Sequence, residues 1–411
     1  MGVAANMVVT LVSYPVFIHY LGSEVYGLWI TMSVIVALGE MGNLGIAQAS
    51  VKFVSEKIST NQLSAAQGYY ATGLVFVLAI GAVFLLLPLI FSHLILSALG
   101  VEITSELLSI VRWLGLLGAL SFLISYQYGV LTASKLNYLM PLFMGFRNLM
   151  KLGFGVLFFS VYSKDLSAIL WATIISTFVT FSILNIFLKV KSVLSPLNLN
   201  GFTKGNLREL LRYGVSIFGS KVSNILLIPV VKLTVASRLS FSAVTYLELS
   251  YNSAFAVRSL FERGLVTLIP ESSGLKSFRA SLGLIKKSYK FVIPVALVFY
   301  SGLIYFSEEV LTLWLSEEYN EVIRQGFILF NLAFFVSLLG VPMYFIFMGL
   351  GFPKYCFFES LIKLCTTYLV LMGALFISDE FTLIQSFYAL SAGFALSHIY
   401  LILVYLRKHN A

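Results

Sequence analysis

The stretch Arg147-Asn148-Leu149-Met150-Lys151 places two cations four residues apart inside a run otherwise apolar enough to be buried in a membrane. It has a counterpart 212 residues later, Glu359-Ser360-Leu361-Ile362-Lys363, and the register holds on both sides. Pro141 aligns with Pro353, Lys151 with Lys363, Leu152 with Leu364 and Leu157 with Leu369. The chain has 411 residues, so the offset is close to half its length. Charged positions repeated in two halves point to a duplicated membrane protein with a polar interior.

Working outward, composition agrees. Hydrophobic residues make up 59% of the chain and charged residues 11%, with a mean hydropathy of +0.93. Soluble domains carry about 25% charge, so this chain lacks the side chains for an ordinary water-facing surface. Its apolar runs approach the roughly 20 residues that cross a bilayer as helix, rather than the ~10-residue alternation of barrel strands. The expected class is therefore an all-α polytopic membrane protein. Only Cys356 and Cys365 are present, both in one apolar run, and His19, His93, His398 and His409 are scattered. Neither a disulfide framework nor a metal-ligand spacing is visible. The sequence contains no glycine-rich phosphate loop, which excludes ATP hydrolysis by such a motif. The net charge of +9 is read as loop placement and not as nucleic-acid binding. No Lys or Arg precedes Lys52, so the positive region of a signal peptide is missing and the chain begins almost inside its first span.

Twelve spans are expected, at about 3–20, 26–51, 69–91, 108–131, 141–163, 166–188, 213–237, 243–270, 291–306, 322–349, 355–376 and 384–406. With both termini cytoplasmic, the inner loops hold sixteen Lys and Arg residues and the outer loops only Lys164 and Arg238. That is the bias of the positive-inside rule. The outer loop after the ninth span carries Glu308, Glu309, Glu317, Glu318 and Glu321 with no base. The longest inner loop, with Pro196, Asn198, Asn200, Gly201 and Gly205, reads as a linker. The resulting organisation is an N-terminal six-helix lobe over 1–188, a cytoplasmic linker over 189–212 and a C-terminal six-helix lobe over 213–411. Six spans per half return the chain to the same side, so the repeats are parallel. The basic amphipathic segment 272–290 is expected on the inner leaflet surface, drawn there by anionic lipid.

Nine basic residues fall within the spans. Arg112, Lys232 and Arg324 lie near outer ends and can snorkel to the headgroups. Arg147, Lys151, Lys221, Arg258, Arg263 and Lys363 lie deeper. Each costs ~3 kcal/mol at a helix centre, or roughly 18 kcal/mol for six facing lipid, which places them around a wet interior. Four acids share that zone, Glu40, Glu248, Glu262 and Glu359. Two pairs, Arg258 with Glu262 and Glu359 with Lys363, stand at i,i+4 and either neutralise each other or contribute to a site. Arg147 and Lys151 are like charges at the same spacing, with no acid on their own helix. Either they receive an anionic substrate, a phosphate above all, or Glu40 or Glu248 reaches them from another helix. Gln127, Asn148, Asn224 and Asn252 either contact sugar hydroxyls or bond between helices. Gly39, Gly42 and Gly45, spaced by three, are expected to allow close helix packing.

The pattern Tyr14-Pro15, then Tyr20-Leu21-Gly22-Ser23-Glu24-Val25-Tyr26-Gly27-Leu28-Trp29, then Gly42-Asn43-Leu44-Gly45-Ile46-Ala47 through Val51-Lys52-Phe53-Val54-Ser55-Glu56 resembles the polysaccharide-biosynthesis (Wzx-type, O-antigen) flippases of the MATE-like MOP superfamily. Gly349-Leu350-Gly351-Phe352-Pro353-Lys354 extends the similarity. The resemblance implies two six-helix lobes around a cleft, in a bacterial inner (cytoplasmic) membrane, and no enzymatic activity. The cargo it implies is a lipid-linked, polyprenyl-pyrophosphate oligosaccharide repeat unit, moved by alternating access for O-antigen or other surface polysaccharide. No cofactor is expected beyond a proton or sodium gradient, for which Glu40, Glu248 and Glu359 are the coupling candidates. Membrane lipids, a glycan polymerase and a chain-length regulator are the implied partners. Substrate binding falls to Arg147, Lys151, Lys221, Arg258, Arg263 and Lys363. Two departures stand out. No aspartate occurs in any span, whereas drug-exporting relatives usually carry one in the first helix, and the short polar N-terminal tail usual in the family is missing, as in a trimmed start. A multidrug/ion antiporter on the same fold is the alternative, poorly matched to a cation-rich interior. A membrane glycan polymerase is a more distant one, since the outer loops are short and hold no acidic pair in a donor-binding context.

Overall fold

The computed structural model describes residues 2–39, 45–191, 194, 197–273, 275, 278–377 and 380–410, with the side chains at 2–4, 38, 39, 216–221, 270, 409 and 410 outside that description. The described residues are helical throughout, joined by short turns. In chain order the helices are α1 (Gly2–Gly39), α2 (Ile46–Ser59), α3 (Leu63–Ala98), α4 (Ser105–Ala133), α5 (Met140–Val161), α6 (Leu166–Lys191) and α7 (Lys204–Arg238). They continue with α8 (Phe241–Leu265), α9 (Leu268–Ser273), α10 (Phe278–Tyr305), α11 (Ser307–Leu315), α12 (Glu321–Gly349), α13 (Pro353–Ile377) and α14 (Leu383–Asn410).

Local chemistry sets several boundaries. Thr104, Ser240 and Asn320 cap α4, α8 and α12, each side-chain oxygen accepting from a first-turn amide at 3.2, 3.1 and 2.8 Å. Asp165 does the same for α6, accepting from the amides of Ser167 at 2.9 Å and Ala168 at 3.2 Å. The prolines of the internal echo, Pro141 and Pro353, sit in the first turns of α5 and α13, where a missing N–H costs nothing.

Among the described residues the twelve expected spans fall on helices, of which α7 and α8 are not long and apolar enough by composition to count as crossing a membrane, and two revisions stand out. The first two spans form one element, α1, in which Gly22 breaks helical geometry at φ 75°, ψ 160°. That region is open essentially to glycine alone. Residues 40–44 lie outside the described residues, and the rest of the second span falls in α2, whose N-cap Gly45 is left-handed at φ 73°. A Cβ at Gly45 would collide with the carbonyl of Gly214, so glycine there permits the backbone contact of the α2 start with α7. The amphipathic segment expected to lie apart on the leaflet is instead, from Phe278 onward, the beginning of α10, which runs unbroken into the ninth span. Nothing between 278 and 290 breaks a helix, so the period simply continues. Residues 274, 276 and 277 of that segment lie outside the described residues.

The chain divides into two compact units, Met1–Ile225 and Leu226–Ala411, with the boundary inside α7. In the first, α3, α4 and α6 enclose a core around Tyr70, Leu74, Phe122, Tyr126 and Leu184. Its polar content is satisfied internally. Gln127 Nε2 donates to Tyr70 Oη at 3.1 Å and Asn185 Oδ1 at 2.9 Å, while Tyr126 Oη donates to the Tyr70 carbonyl at 2.8 Å. In the second, Ile285, Met343, Phe347, Leu401 and Tyr405 form a core, and Phe330, stacked on Phe334 of the same helix, meets Phe387 of α14 edge-on.

The outer faces decide the solvent. On α3 the side chains of Val83, Leu86, Leu89 and Ile90 are exposed, Ile90 by 69%, and on α10 Phe291, Val295 and Val298 are exposed, Val298 by 75%. Continuous apolar faces of that extent are untenable in water and expected against lipid. Nine helices among the described residues are long and apolar enough to cross a membrane. The chain is a multi-pass membrane protein.

Candidate functional site

Helix α5 packs on α1 and α6, and the face it turns inward carries the opening pair of cations. Arg147, Asn148 and Lys151 line a cavity of about 270 Å³ within the first unit. Trp29, Ser33 and Val36 of α1 form one wall, Leu117 and Ser121 of α4 another, and Thr173, Ser176 and Thr177 of α6 a third. Asn148 braces α5 against α1, its Nδ2 donating to Asn6 Oδ1 at 2.9 Å and Thr10 Oγ1 at 3.1 Å. For Asn148 and Gln127, then, interhelical bonding accounts for the amide.

The polar groups of this cavity divide by role. The hydroxyls of Ser33, Thr173 and Thr177 donate to carbonyls one turn back, at 2.8, 2.7 and 2.7 Å, and Ser176 donates to Thr173 O at 3.0 Å. Their protons are spent on their own helices, so their oxygens are left to accept. The charged donors of the cavity are the Arg147 guanidinium and the Lys151 ammonium. Lys151 Nζ also lies 5.5 Å from the centroid of the Phe17 ring, an arrangement that partly offsets desolvation. Among the described residues the wall carries no carboxylate. The cavity is thus a cationic donor pair opposite a row of neutral acceptors, suited to an anion joined to hydroxyl-bearing groups. Glu40 lies outside the described residues.

The second unit holds the other charges, differently arranged. Lys363 Nζ lies 2.9 Å from Glu359 Oε1, and Arg258 Nη2 lies 2.6 Å from Glu262 Oε1, so both i,i+4 pairs form. His398 joins them: its Nε2 stands 3.3 Å from Arg258 Nη2 and its Nδ1 3.5 Å from Glu359 Oε1. The rings of Phe334 and Phe394 cover the Arg258 guanidinium at 5.5 and 5.2 Å, and Phe394 also faces Lys363 Nζ at 5.0 Å. Glu359, Lys363, Arg258 and His398 are all buried. With a neutral imidazole the five side chains sum to zero charge, which is how a low-dielectric interior tolerates them.

Sequence reasoning left His398 among scattered histidines. The signal was its depth, mid-way along an apolar run, where an ionisable side chain is by default a site candidate. Lys232 also departs from expectation. Instead of snorkelling outward it pairs with Glu248 at 2.5 Å, both side chains 14% exposed. Glu248 therefore has a cation from α7. Arg263 is exposed, and Arg324 pairs with Glu321 at 2.8 Å. Lys221 lies in α7, its side chain outside the described residues. The candidate residues thus fall into two groups, Arg147 with Lys151 in the first unit and Arg258, Glu359 and Lys363 in the second.

An all-helical bundle of this topology, with ionisable side chains sequestered at mid-span, defines a polytopic membrane protein of MATE-like fold. Its solved structural neighbours are of that kind. An inward-facing multidrug resistance MATE family transporter of the MOP superfamily superposes with a TM-score of 0.77 at 15% identity, over 98% of this chain and 94% of that one. The lipid II flippase MurJ, in an inward closed conformation, gives a TM-score of 0.76 at 14% identity, covering 98% and 88%. The Vibrio cholerae MATE transporter VcmN gives 0.64 at 16% identity, covering 99% and 93%. No protein-family model and no curated protein sequence matches the chain.

Proposed function

We propose that this protein is a flippase that moves a lipid-linked oligosaccharide repeat unit, a polyprenyl pyrophosphate carrying sugars, across the bacterial inner membrane for O-antigen or other surface polysaccharide assembly. The observation that carries the reading is the cavity of Arg147 and Lys151. A membrane-embedded pair of cationic donors facing hydroxyl acceptors complements a diphosphate joined to sugars and repels the organic cations of drug exporters. Among solved relatives of the fold, one is described as a lipid II flippase, which makes a lipid-linked cargo compatible with the architecture. The chemistry required is binding and release, without bond making. The cations replace water lost by the diphosphate, and alternating access carries the head across while the polyprenyl tail stays in lipid.

Within this reading Arg147 and Lys151 are the primary substrate contacts. Arg258, Lys363, Arg263 and Lys221 are secondary ones, since two of them are already held by carboxylates. A proton or sodium gradient supplies the driving force. Glu359, buried between Lys363 and His398, is the favoured coupling group ahead of Glu248 and Glu40. Both termini face the cytoplasm, and a glycan polymerase with its chain-length regulator receives the product.

The test is export in cells. Arg147→Met and Lys151→Met should each abolish surface glycan, with folded protein still in the membrane and lipid-linked repeat units accumulating on the cytoplasmic side. Normal surface glycan in both variants would sink the assignment.

A further inference from the structure

The first three turns of α7 carry a surface outside the cavity of Arg147 and Lys151. Lys204, Arg208 and Arg212 succeed one another at i, i+4 and i+8, a cationic row along one helix face. Leu207, Leu211 and Val215 form an apolar row at the same spacing beside it. The two rows line an open groove of about 890 Å³, within the size range of small-molecule sites. The three cations are exposed and Leu207 and Leu211 half-buried. The one acid of this segment, Glu209, is engaged elsewhere: its carboxylate accepts the hydroxyl proton of Tyr69 on α3. Among the described residues no carboxylate pairs with the cationic row.

The groove also lies at a defined level of the first unit. The linker before α7 is tied to the first turns of α3, with Gln67 Nε2 donating to Asn198 O at 3.3 Å and the Thr203 amide to Thr72 Oγ1 at 3.2 Å. Lys52 of α2 rests over the Tyr213 ring at 4.2 Å. By the positive-inside rule this basic end of the unit belongs at the headgroup level of the cytoplasmic leaflet, a placement that rests on the orientation proposed above.

We propose that the groove is a binding site for an anionic phospholipid, its phosphate held by Lys204, Arg208 and Arg212 and an acyl chain laid along Leu207, Leu211 and Val215. The apolar row selects this occupant. A free phosphate would leave it bare, and an acidic peptide would give it nothing apolar to meet, whereas a lipid joins both chemistries at this spacing.

The test uses the full chain in zwitterionic detergent, titrated with short-chain phosphatidylglycerol and with phosphatidylcholine of equal chain length, bound lipid being counted by native mass spectrometry. Phosphatidylglycerol should bind more tightly. The triple variant Lys204→Gln, Arg208→Gln, Arg212→Gln should lose roughly 100-fold of that affinity, about fivefold per cation, with phosphatidylcholine unchanged. Leu207→Ser with Leu211→Ser should weaken both lipids. Lys286→Gln with Lys287→Gln and Lys290→Gln, on the basic start of α10, should leave phosphatidylglycerol binding intact. Equal affinity for the two lipids, an unaffected triple variant or an equal loss from the α10 variant overturns the proposal. So does displacement of the lipid by inorganic phosphate or a polyglutamate peptide at matched concentration. Should the triple variant unfold, Arg208→Gln alone is read for its fivefold loss, and no loss there overturns it as well.

Discussion

Glu359 and Lys363 stand 2.9 Å apart with side chains 2% and 9% exposed. At that distance, and at an effective dielectric of about 20, their attraction is roughly 6 kcal/mol. Removing two charges from water costs a similar amount, so the intact pair is expected to be near neutral relative to apolar side chains of the same volume. Breaking it is another matter, because the remaining charge stays buried without compensation, at about 3–5 kcal/mol. Glu359→Gln turns the balanced set of Arg258, Glu262, Glu359 and Lys363 into a net positive one, with Arg258 and Lys363 both against the Phe394 ring. Lys363→Met leaves it net negative, with the His398 imidazole still 3.5 Å from Glu359. Glu359→Gln should therefore be the costlier single change. The double variant Glu359→Gln, Lys363→Met should recover most of the loss, giving a coupling energy of about 3 kcal/mol in the cycle. For a unit of this size the singles should unfold roughly 6–20 °C early, at about 2–4 °C per kcal/mol. The assay is thermal unfolding of the full chain in detergent, read by tryptophan fluorescence and by retained monodispersity on gel filtration. Additive losses in the double variant would refute the pairing and with it the neutral-cluster account.

Three further changes test the packing of the first unit. Gly22→Val forces a β-branched side chain into φ 75°, ψ 160°, and should cost about 1–3 kcal/mol although nothing lies within 4 Å of the added Cβ; an unchanged melting midpoint would show that the turn relaxes. Gln127→Leu strips the donors from Tyr70 and Asn185 and should lower stability by roughly 1–3 kcal/mol, whereas Asn148→Leu, which loosens α1 against α5, should depress glycan export more than it depresses the melting midpoint.

Much of this protein is local in origin, and local features are legible in a chain. The spans follow from apolar run length and the two self-paired cations from i,i+4 spacing, because each depends on residues close by in the chain. The likeness of α5 to α13 was also readable, through Pro141 and Pro353 and the lysines ten residues later. What depends on a second helix was not. Lys232 was assigned to the headgroups because its depth is all that one helix reveals, and only α8 supplies Glu248. His398 reads as an isolated residue until α14 lies between α8 and α13 and brings it to Arg258 and Glu359. The continuity of α10 and the break at Gly22 followed backbone geometry that hydropathy does not record.

By itself the sequence determined a helical, membrane-embedded chain whose mid-span charges demand company, since burying an ion in hydrocarbon is costly whatever the fold. Tertiary structure alone decided which company each charge keeps. It enclosed Arg147 and Lys151 with the acceptor hydroxyls of α1 and α6, and it closed Arg258, Glu262, Glu359, Lys363 and His398 into a neutral set. The physical reason is distance: partners as much as 140 residues apart in the chain, such as Arg258 and His398, meet only when helices pack, and an ion's energy is set by what lies within a few ångströms.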